Sequence, residues 1–585
     1  MSASFTARYS RHWGFRAVIS TTWTPSSLPV PWRYMKPHFR YFSHHSITKS
    51  TGTRDTLVKL TPTTSFNEGF DPQFKEQRLL ELRQHAPGPL YPRIGLSNGE
   101  EHKVQYSIQT LRELWDQKTT PGEHHLQERV TVQGRIVAKR DASSKLLFLE
   151  IMDNNVSMQL VVSQRRMEED ASKAQSFKTY HKVFHKGDIV QAHGFVGKTQ
   201  SGELSVFATK PLRLLAPCLH DLPYRSGLKN YERRYRQRYL DFLINPAHRQ
   251  VFYTRAQVIR CLRQFLDARG FIEVETPILW PRVGGANARP FLTRGNALNR
   301  MPLQLRVAPE LFLKQLVVGG MSRVYEIGKQ FRNEGIDANH NPEFTTLEFY
   351  QAYTDLEGLM QLTEELLRYL VGSLKNGSTT VEVSNQLAGD PVSLEFGVPF
   401  QRLHVVTELE RHLGQALPNL ADPDKALGVL TARCAALNVA LVPPVTLPRV
   451  LDTLITKFLE PQCVQPTFLY GHPTIMSPLA KASDTTPGTA QRFELYVLGK
   501  EIVNAYEELN DPEEQRTRFA QQLRDRGKGD DEAQLPDEEF CQALEYGLPP
   551  TGGWGMGIDR LCALLTDTKH LRDTLTFPIV KPTGL

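Results

Sequence analysis

The segment Arg323–Tyr353, RVYEIGKQFRNEGIDANHNPEFTTLEFYQAY, constrains this chain more than any other. It reads as two alternating strands joined by a polar loop, Asn333–Pro342. In the second strand Phe344, Thr346, Glu348 and Tyr350 share parity and therefore point to one face. Facing solvent, a Phe beside a Tyr would be out of place, and in a sealed core a Glu would be. A face carrying an aromatic plate, a carboxylate and a phenol suits a small ligand with both a ring and a cation.

The rest of the chain supplies the setting. At 585 residues it is too long for one ordinary core, so two or three domains are expected. No run approaches the roughly 18 consecutive apolar residues of a membrane helix. The six cysteines form no CxxC pair, which argues against a zinc ribbon or a disulfide framework. Residues 1–54 contain no Asp or Glu but eight of the 70 Lys and Arg, so the remainder is close to neutral against 63 Asp and Glu. An acid-free leader rich in Arg, Ser, Thr and aromatics reads as a mitochondrial transit peptide over residues 1–55, with a cytoplasmic location as the alternative.

Residues 68–125 form an N-terminal helical and linking segment, with a short helix over Phe74–His85. Strands are expected at Val130–Arg140, Lys145–Met152, Val156–Val162, Asp188–Val196 and Glu203–Leu215, with a helix near Met167–Val183. Five strands with a helix between the third and fourth is the order of an OB-fold barrel, here over 126–217. A linker, 218–230, leads to a second domain over 231–585. That domain opens with a helix, Arg249–Arg269, ended by Gly270, and a strand, Phe271–Leu279. Pro277 cannot donate to a ladder, which puts this strand at an edge or an interface. Residues 355–470 read as helices and connectors without a motif.

Arg323–Tyr353 resembles motif 2 of the class II aminoacyl-tRNA synthetases, and its wording is similar to that of the lysyl-tRNA synthetases (subclass IIb). Residues 249–279 resemble motif 1, a dimer interface containing Pro277. GLPPTGGWGMGIDRL at 547–561 resembles motif 3, and RYRQRYLDF at 234–242 agrees. The resemblance covers about residues 74–585. It implies an α+β multidomain protein: an N-terminal five-stranded OB-fold barrel followed by a catalytic domain with an antiparallel sheet flanked by helices. It also implies ATP, L-lysine and tRNA(Lys) as substrates, Mg²⁺ as cofactor, a homodimer and no membrane partner.

Carried onto this sequence, the resemblance implies that Arg332 holds the α-phosphate and the substrate carboxylate. Arg560 would hold the far end of the triphosphate and His340 would assist, these three being the catalytic set. Arginine suits phosphate because its planar fork binds oxygens bidentately and keeps its charge. Phe344 would stack on adenine, Glu334 would accept from its amine, and Glu494 and Glu501 would ligate the metal. Glu501 also belongs to the ATP set, yet its parity is opposite to that of Asn504, Tyr506 and Glu508, which requires a bulge or a strand end.

For the amino acid, the matching positions are Glu310, Glu348 and Glu508, with Tyr350, Asn504 and Tyr506 as walls and Gly284-Gly285-Ala286 as a close backbone approach. Buried carboxylates offset the cost of burying an ammonium, whereas an aspartate pocket would need cations. In the barrel, Arg135, Phe148, Gln159 and Glu203 would contact the anticodon; Leu147 and Leu149 leave the facing of Phe148 open. Rival readings are an aspartyl- or asparaginyl-tRNA synthetase, a non-catalytic relative, and a paralogue that lysylates proteins.

Overall fold

The computed structural model describes residues 71–86, 88–93, 105–167, 177–224, 227–384 and 391–581. The acid-free leader lies outside them. The first helix, α1 (Pro72–His85), starts where the Asp71 side chain accepts from the backbone N–H groups of Gln73 and Phe74, with Pro72 in the first turn. Ser107 caps α2 (Ile108–Trp115) in the same way. Then come β1 (His124–Ser143), β2 (Leu146–Asp153), β3 (Val156–Ser163), α3 (Phe177–Lys182), β4 (Ile189–Lys198), β5 (Leu204–Ala208) and β6 (Arg213–Ala216).

Strands are ordered β1-β2-β3-β5-β4-β6, and β1 also pairs with β4, which closes the first five into a barrel. The last expected strand, Glu203–Leu215, is in fact two. Pro211 stands in the break between β5 and β6, and a proline has no N–H to extend the ladder. Part of the helix expected at Met167–Val183 falls outside the described residues; α3 is the described part. Alternating residues such as Leu147, Leu149, Ile151, Leu160 and Val206 fill the barrel core.

After the barrel follow α4 (Tyr231–Arg236), α5 (Arg238–Ile244) and α6 (Pro246–Asp267), then β7 (Ile272–Glu273), β8 (Leu279–Trp280), β9 (Leu292–Gly295), β10 (Met301–Leu305) and α7 (Glu310–Val318). The hairpin β11 (Arg323–Phe331) and β12 (Glu343–Ala352) comes next, followed by α8 (Leu356–Leu374), β13 (Thr380–Ser384), β14 (Pro391–Glu395) and β15 (Gln401–His404). Three helices, α9 (Val405–Leu413), α10 (Pro423–Ala436) and α11 (Leu447–Phe458), precede β16 (Thr467–Tyr470), β17 (Arg492–Val497) and β18 (Lys500–Glu507). The chain closes with α12 (Pro512–Gly527), α13 (Glu538–Glu545), β19 (Thr551–Gly557) and α14 (Ile558–Leu565).

Eight strands form the main sheet in the order β15-β16-β17-β18-β19-β12-β11-β7. Its inner pairs are antiparallel, while the two edge pairs, β7–β11 and β15–β16, are parallel. One face buries Leu347, Phe349, Trp554 and Val503 against α6 and α8, with Phe349 stacked on Trp554 at 4.8 Å. Each such side chain contributes about 1.5–3 kcal/mol on burial. The other face carries the site.

The expected strand Phe271–Leu279 is broken. Two-residue β7 pairs with β11 at the sheet edge and two-residue β8 pairs with β10, with exposed Pro277 between them. The stretch 355–470 also holds strands as well as helices, β15 and β16 extending the main sheet. Four- and five-residue strands are too short to show a period in sequence.

Candidate active site

The middle strands of the sheet and the ends of α7 and α14 surround a cavity of about 430 Å³. Alternation along β12 aims Phe344, Thr346, Glu348 and Tyr350 into it and turns Leu347 and Phe349 to the core. β19 lies alongside, and its glycines leave room. A Cβ on Gly553 would lie 1.8 Å from Glu508 Oε1 and 2.6 Å from Tyr350 Cε1, so only glycine fits there.

One part of the cavity is cationic. Arg332 lies 5.0 Å from the Phe344 ring, and its buried Nε has no hydrogen-bond partner among the described residues. Arg560 donates to the Glu501 carboxylate at 3.1 Å. Glu334 and His340 line the same space from the β11–β12 loop. Asp337 shapes that loop by accepting from the backbone N–H groups of Asn339 and His340 and contacting His340 Nδ1 at 2.9 Å.

Another part is acidic. Glu310, at the start of α7, accepts from the Tyr506 hydroxyl at 2.6 Å and from Lys314 Nζ at 2.7 Å. Lys314 also pairs with Glu508. Among the described residues, Glu348 accepts one hydrogen bond, a long one from the Thr346 hydroxyl at 3.4 Å. Burial first, and then Glu310 nearby, push its carboxyl up to about 8. Burial and the neighbouring Glu310 likewise push the Tyr350 and Tyr506 hydroxyls well above the ordinary tyrosine range, so both stay protonated.

Glu494, Glu501 and Asn504 also line the cavity. The β17–β18 ladder shifts register between Leu495–Val503 and Tyr496–Glu501, so Ile502 forms a bulge. This extra residue brings Glu501 into the cavity wall despite its parity. Burial disfavours the charged form of Glu494, yet Arg492 and His472 beside it hold its carboxyl far below the usual range.

Two residues expected in the amino-acid set stand apart from the cavity lining. Gly284 faces a smaller neighbouring recess with Trp280 and Leu311, while Gly285 and Ala286 face the cavity. Glu508 is fully buried behind Gly553 and Tyr350, where Lys314 draws it away from the opening. Sequence reasoning passed over Lys314, Arg492 and Gln534. Lys314 sits one helical turn after Glu310 and Arg492 shares the parity of Glu494, and both signals were readable. Gln534, which accepts from the Gly285 N–H at 3.3 Å, had no such signal.

On the barrel, Phe148, Gln159 and Glu203 line one open groove with Arg112, Lys139 and Arg140. Leu147 and Leu149 are buried, which turns Phe148 outward; the Arg140 guanidinium lies 4.7 Å from its ring. Arg135 is not in the groove. It donates to the Gly187 carbonyl at 2.6 Å and braces a turn of the barrel.

A mostly antiparallel sheet bearing arginines and carboxylates around one cavity, preceded by an OB barrel with a polar and aromatic groove, defines a class II aminoacyl-tRNA synthetase. Residues 230–581 match the family described as tRNA synthetases class II (D, K and N), and residues 130–213 match the OB-fold nucleic acid binding domain. The chain belongs to this family and, within it, to the lysine–tRNA ligases. It is 47% identical to the lysine–tRNA ligase cla4 of Cladosporium cladosporioides, over 79% of this chain and 77% of the relative. It is 46% identical to a probable cytoplasmic lysine–tRNA ligase of Encephalitozoon cuniculi, over 82% of this chain and 93% of the relative. A mitochondrial lysine–tRNA ligase of Schizosaccharomyces pombe is 42% identical over 80% and 87%.

Proposed function

We propose that this chain activates L-lysine with ATP and transfers it to tRNA(Lys). The observation that carries the amino acid is the set Glu310, Glu348 and Glu508, in which Lys314 pairs with Glu310 and Glu508 while Glu348, among the described residues, forms no ion pair. A buried carboxylate held near neutrality gains most from an incoming ammonium. The lysine ε-ammonium enters against Glu348 and Tyr350, and the α-ammonium against Glu310.

Arg332 orients the carboxylate and the α-phosphate. A carboxylate oxygen attacks the α-phosphorus, the bond to the bridging oxygen of pyrophosphate breaks, and lysyl-adenylate forms. A terminal hydroxyl of tRNA then attacks the activated carbonyl carbon, and AMP leaves. Fixed positive charge placed where negative charge develops is the main catalytic resource for such transfers.

Glu494 and Glu501 fit Mg²⁺ as a donor set, since Mg²⁺ at nucleotide sites takes one or two carboxylates together with phosphate oxygens. Among the described residues no cluster of three His, Cys, Asp or Glu side chains could hold a metal alone, so the phosphates would complete the set. Bound there, the ion would neutralise charge on the triphosphate. Phe344 offers its face to adenine, with Glu334 close to the amine.

The barrel groove reads single-stranded anticodon bases through Phe148, Gln159 and Glu203. The exposed apolar side chains of Ile272, Ile278, Leu279, Trp280 and Leu292 around Pro277 support a homodimer through this face. Residues 1–54 support import into mitochondria, and their fusion to a fluorescent reporter tests that reading; a cytosolic signal would refute it. ATP–pyrophosphate exchange with each amino acid tests the substrate. Exchange with aspartate or asparagine and none with lysine would end the proposal.

A further inference from the structure

Lys314 is the charged residue of the acidic pocket that the proposed chemistry leaves unused. Its side chain is fully buried, 0% exposed, on α7. Its ammonium donates to Glu310 at 2.7 Å and pairs with Glu508, while the rings of Tyr506 and Phe540 lie 5.6 and 5.7 Å away. Burying charges is costly, and a buried ion network replaced as a whole by well-packed apolar side chains is often as stable or more so. The charge therefore needs a reason beyond stability.

The count of charges supplies one. Glu310, Glu348 and Glu508 are close enough to act on each other electrostatically, and Lys314 is the ammonium built in among them. Two negative charges remain. Lysine brings two ammonium groups, and its carboxylate is taken by Arg332. A neutral amino acid would bring one ammonium and leave a buried carboxylate unpaired.

We propose that Lys314 is a positioning and specificity residue that holds Glu310 and Glu508 in place and trims the pocket's charge to match a doubly cationic amino acid. This inference rests on lysine being the substrate.

The groups facing Glu348 are Glu310 from α7, Glu326 from β11, Arg306 from the segment between β10 and α7, Arg332 from the β11–β12 loop, the phenol of Tyr350 and Glu508; those facing Lys314 are Glu310, Glu508 and the phenol of Tyr506. In the wild type, Glu348 must ionise to receive an ammonium, so the KM for lysine falls as pH rises toward about 8. Without Lys314, Glu310 and Glu508 lose their shared counter-ion and at least one of them holds a proton at neutral pH. More than one carboxyl must then ionise before both ammonium groups are met, so the fall in KM with pH becomes steeper and extends to higher pH.

The experiment is lysine-dependent ATP–pyrophosphate exchange on the full chain from about pH 6.5 to about pH 9.5, the span in which such carboxylates and lysine ammoniums titrate. It compares the wild type with Lys314→Met, Glu508→Gln and the double variant. Lys314→Met should raise the KM for lysine by about tenfold or more, the scale of one lost charge-assisted interaction, and should leave the KM for ATP nearly unchanged. Its KM for lysine should fall with pH more steeply than that of the wild type. The double variant again has two carboxylates for two ammonium groups, so it should bind lysine better than either single variant. Should Lys314→Met fail to fold, the double variant against Glu508→Gln decides, since only the double restores the match. A wild-type KM and pH course in Lys314→Met, or a double variant no better than Glu508→Gln, overturns the proposal alone. A wild-type enzyme inert with lysine removes the substrate reading and this inference with it.

Discussion

Asp559 forms an ion pair with Arg255 at 2.5 Å, joining the helix after the glycine-rich strand to the long helix α6. The other oxygen of Asp559 accepts from the Thr345 N–H at 2.8 Å, and Arg255 reaches the Thr345 hydroxyl at 3.0 Å. One carboxylate thus fixes three segments far apart in sequence at the edge of the cavity.

Arg255→Met should therefore destabilise the protein by about 3–5 kcal/mol, because it leaves Asp559 charged and buried without its cation. Urea unfolding checks this. The double change with Asp559→Asn should lose less than the sum of the two single losses, since the partners share one interaction.

Arg332→Ala should lower exchange by about 10²–10³-fold, the scale for removing one preorganised charge from a developing transition state. ATP binding measured by calorimetry should fall much less. Wild-type exchange in this variant would remove Arg332 from the assigned role.

Much of this site was legible in the sequence because alternation and local spacing encode it. Phe344, Glu348 and Tyr350 share a face by parity alone, and the displaced parity of Glu501 asked for the bulge found at Ile502. What was illegible depends on long-range partners. Nothing near Glu508 in sequence says that Lys314 will draw it behind Gly553, and nothing near Arg135 says that a distant carbonyl at Gly187 will occupy it. In the fold, the long amphipathic α6 showed itself by period. The two-residue strands flanking Pro277 could not, since they exist only through pairing with β11 and β10.

Glu348 links stability to pH. Its carboxyl rises from the ordinary value of 4.5 to about 8 on folding, so the folded state binds a proton that the unfolded chain releases. That contribution is fully present below about 4.5, shrinks as pH rises and is gone above about 8. Without ligand, Glu348→Gln should match the wild type in melting temperature at pH 5 and exceed it at pH 9, by about 2–4 °C per kcal/mol for domains of 150–250 residues. Lysine affinity should fall strongly in the same variant. A variant no more stable than the wild type at pH 9 would mean that Glu348 is not held protonated.

Phe148→Ala separates the barrel from the cavity. Phe148 projects from β2 into the open groove, while Leu147 and Leu149 carry the barrel core, so truncation should cost little stability. Loss of one base-stacking platform is worth about 1–3 kcal/mol, or roughly five- to 150-fold in binding. The KM for tRNA should rise within that range, while lysine-dependent exchange, which needs no tRNA contact in this groove, should keep its wild-type rate. Unchanged tRNA kinetics with a lowered melting temperature would instead make Phe148 part of the packing with Val161, Phe195 and Phe207 beside it.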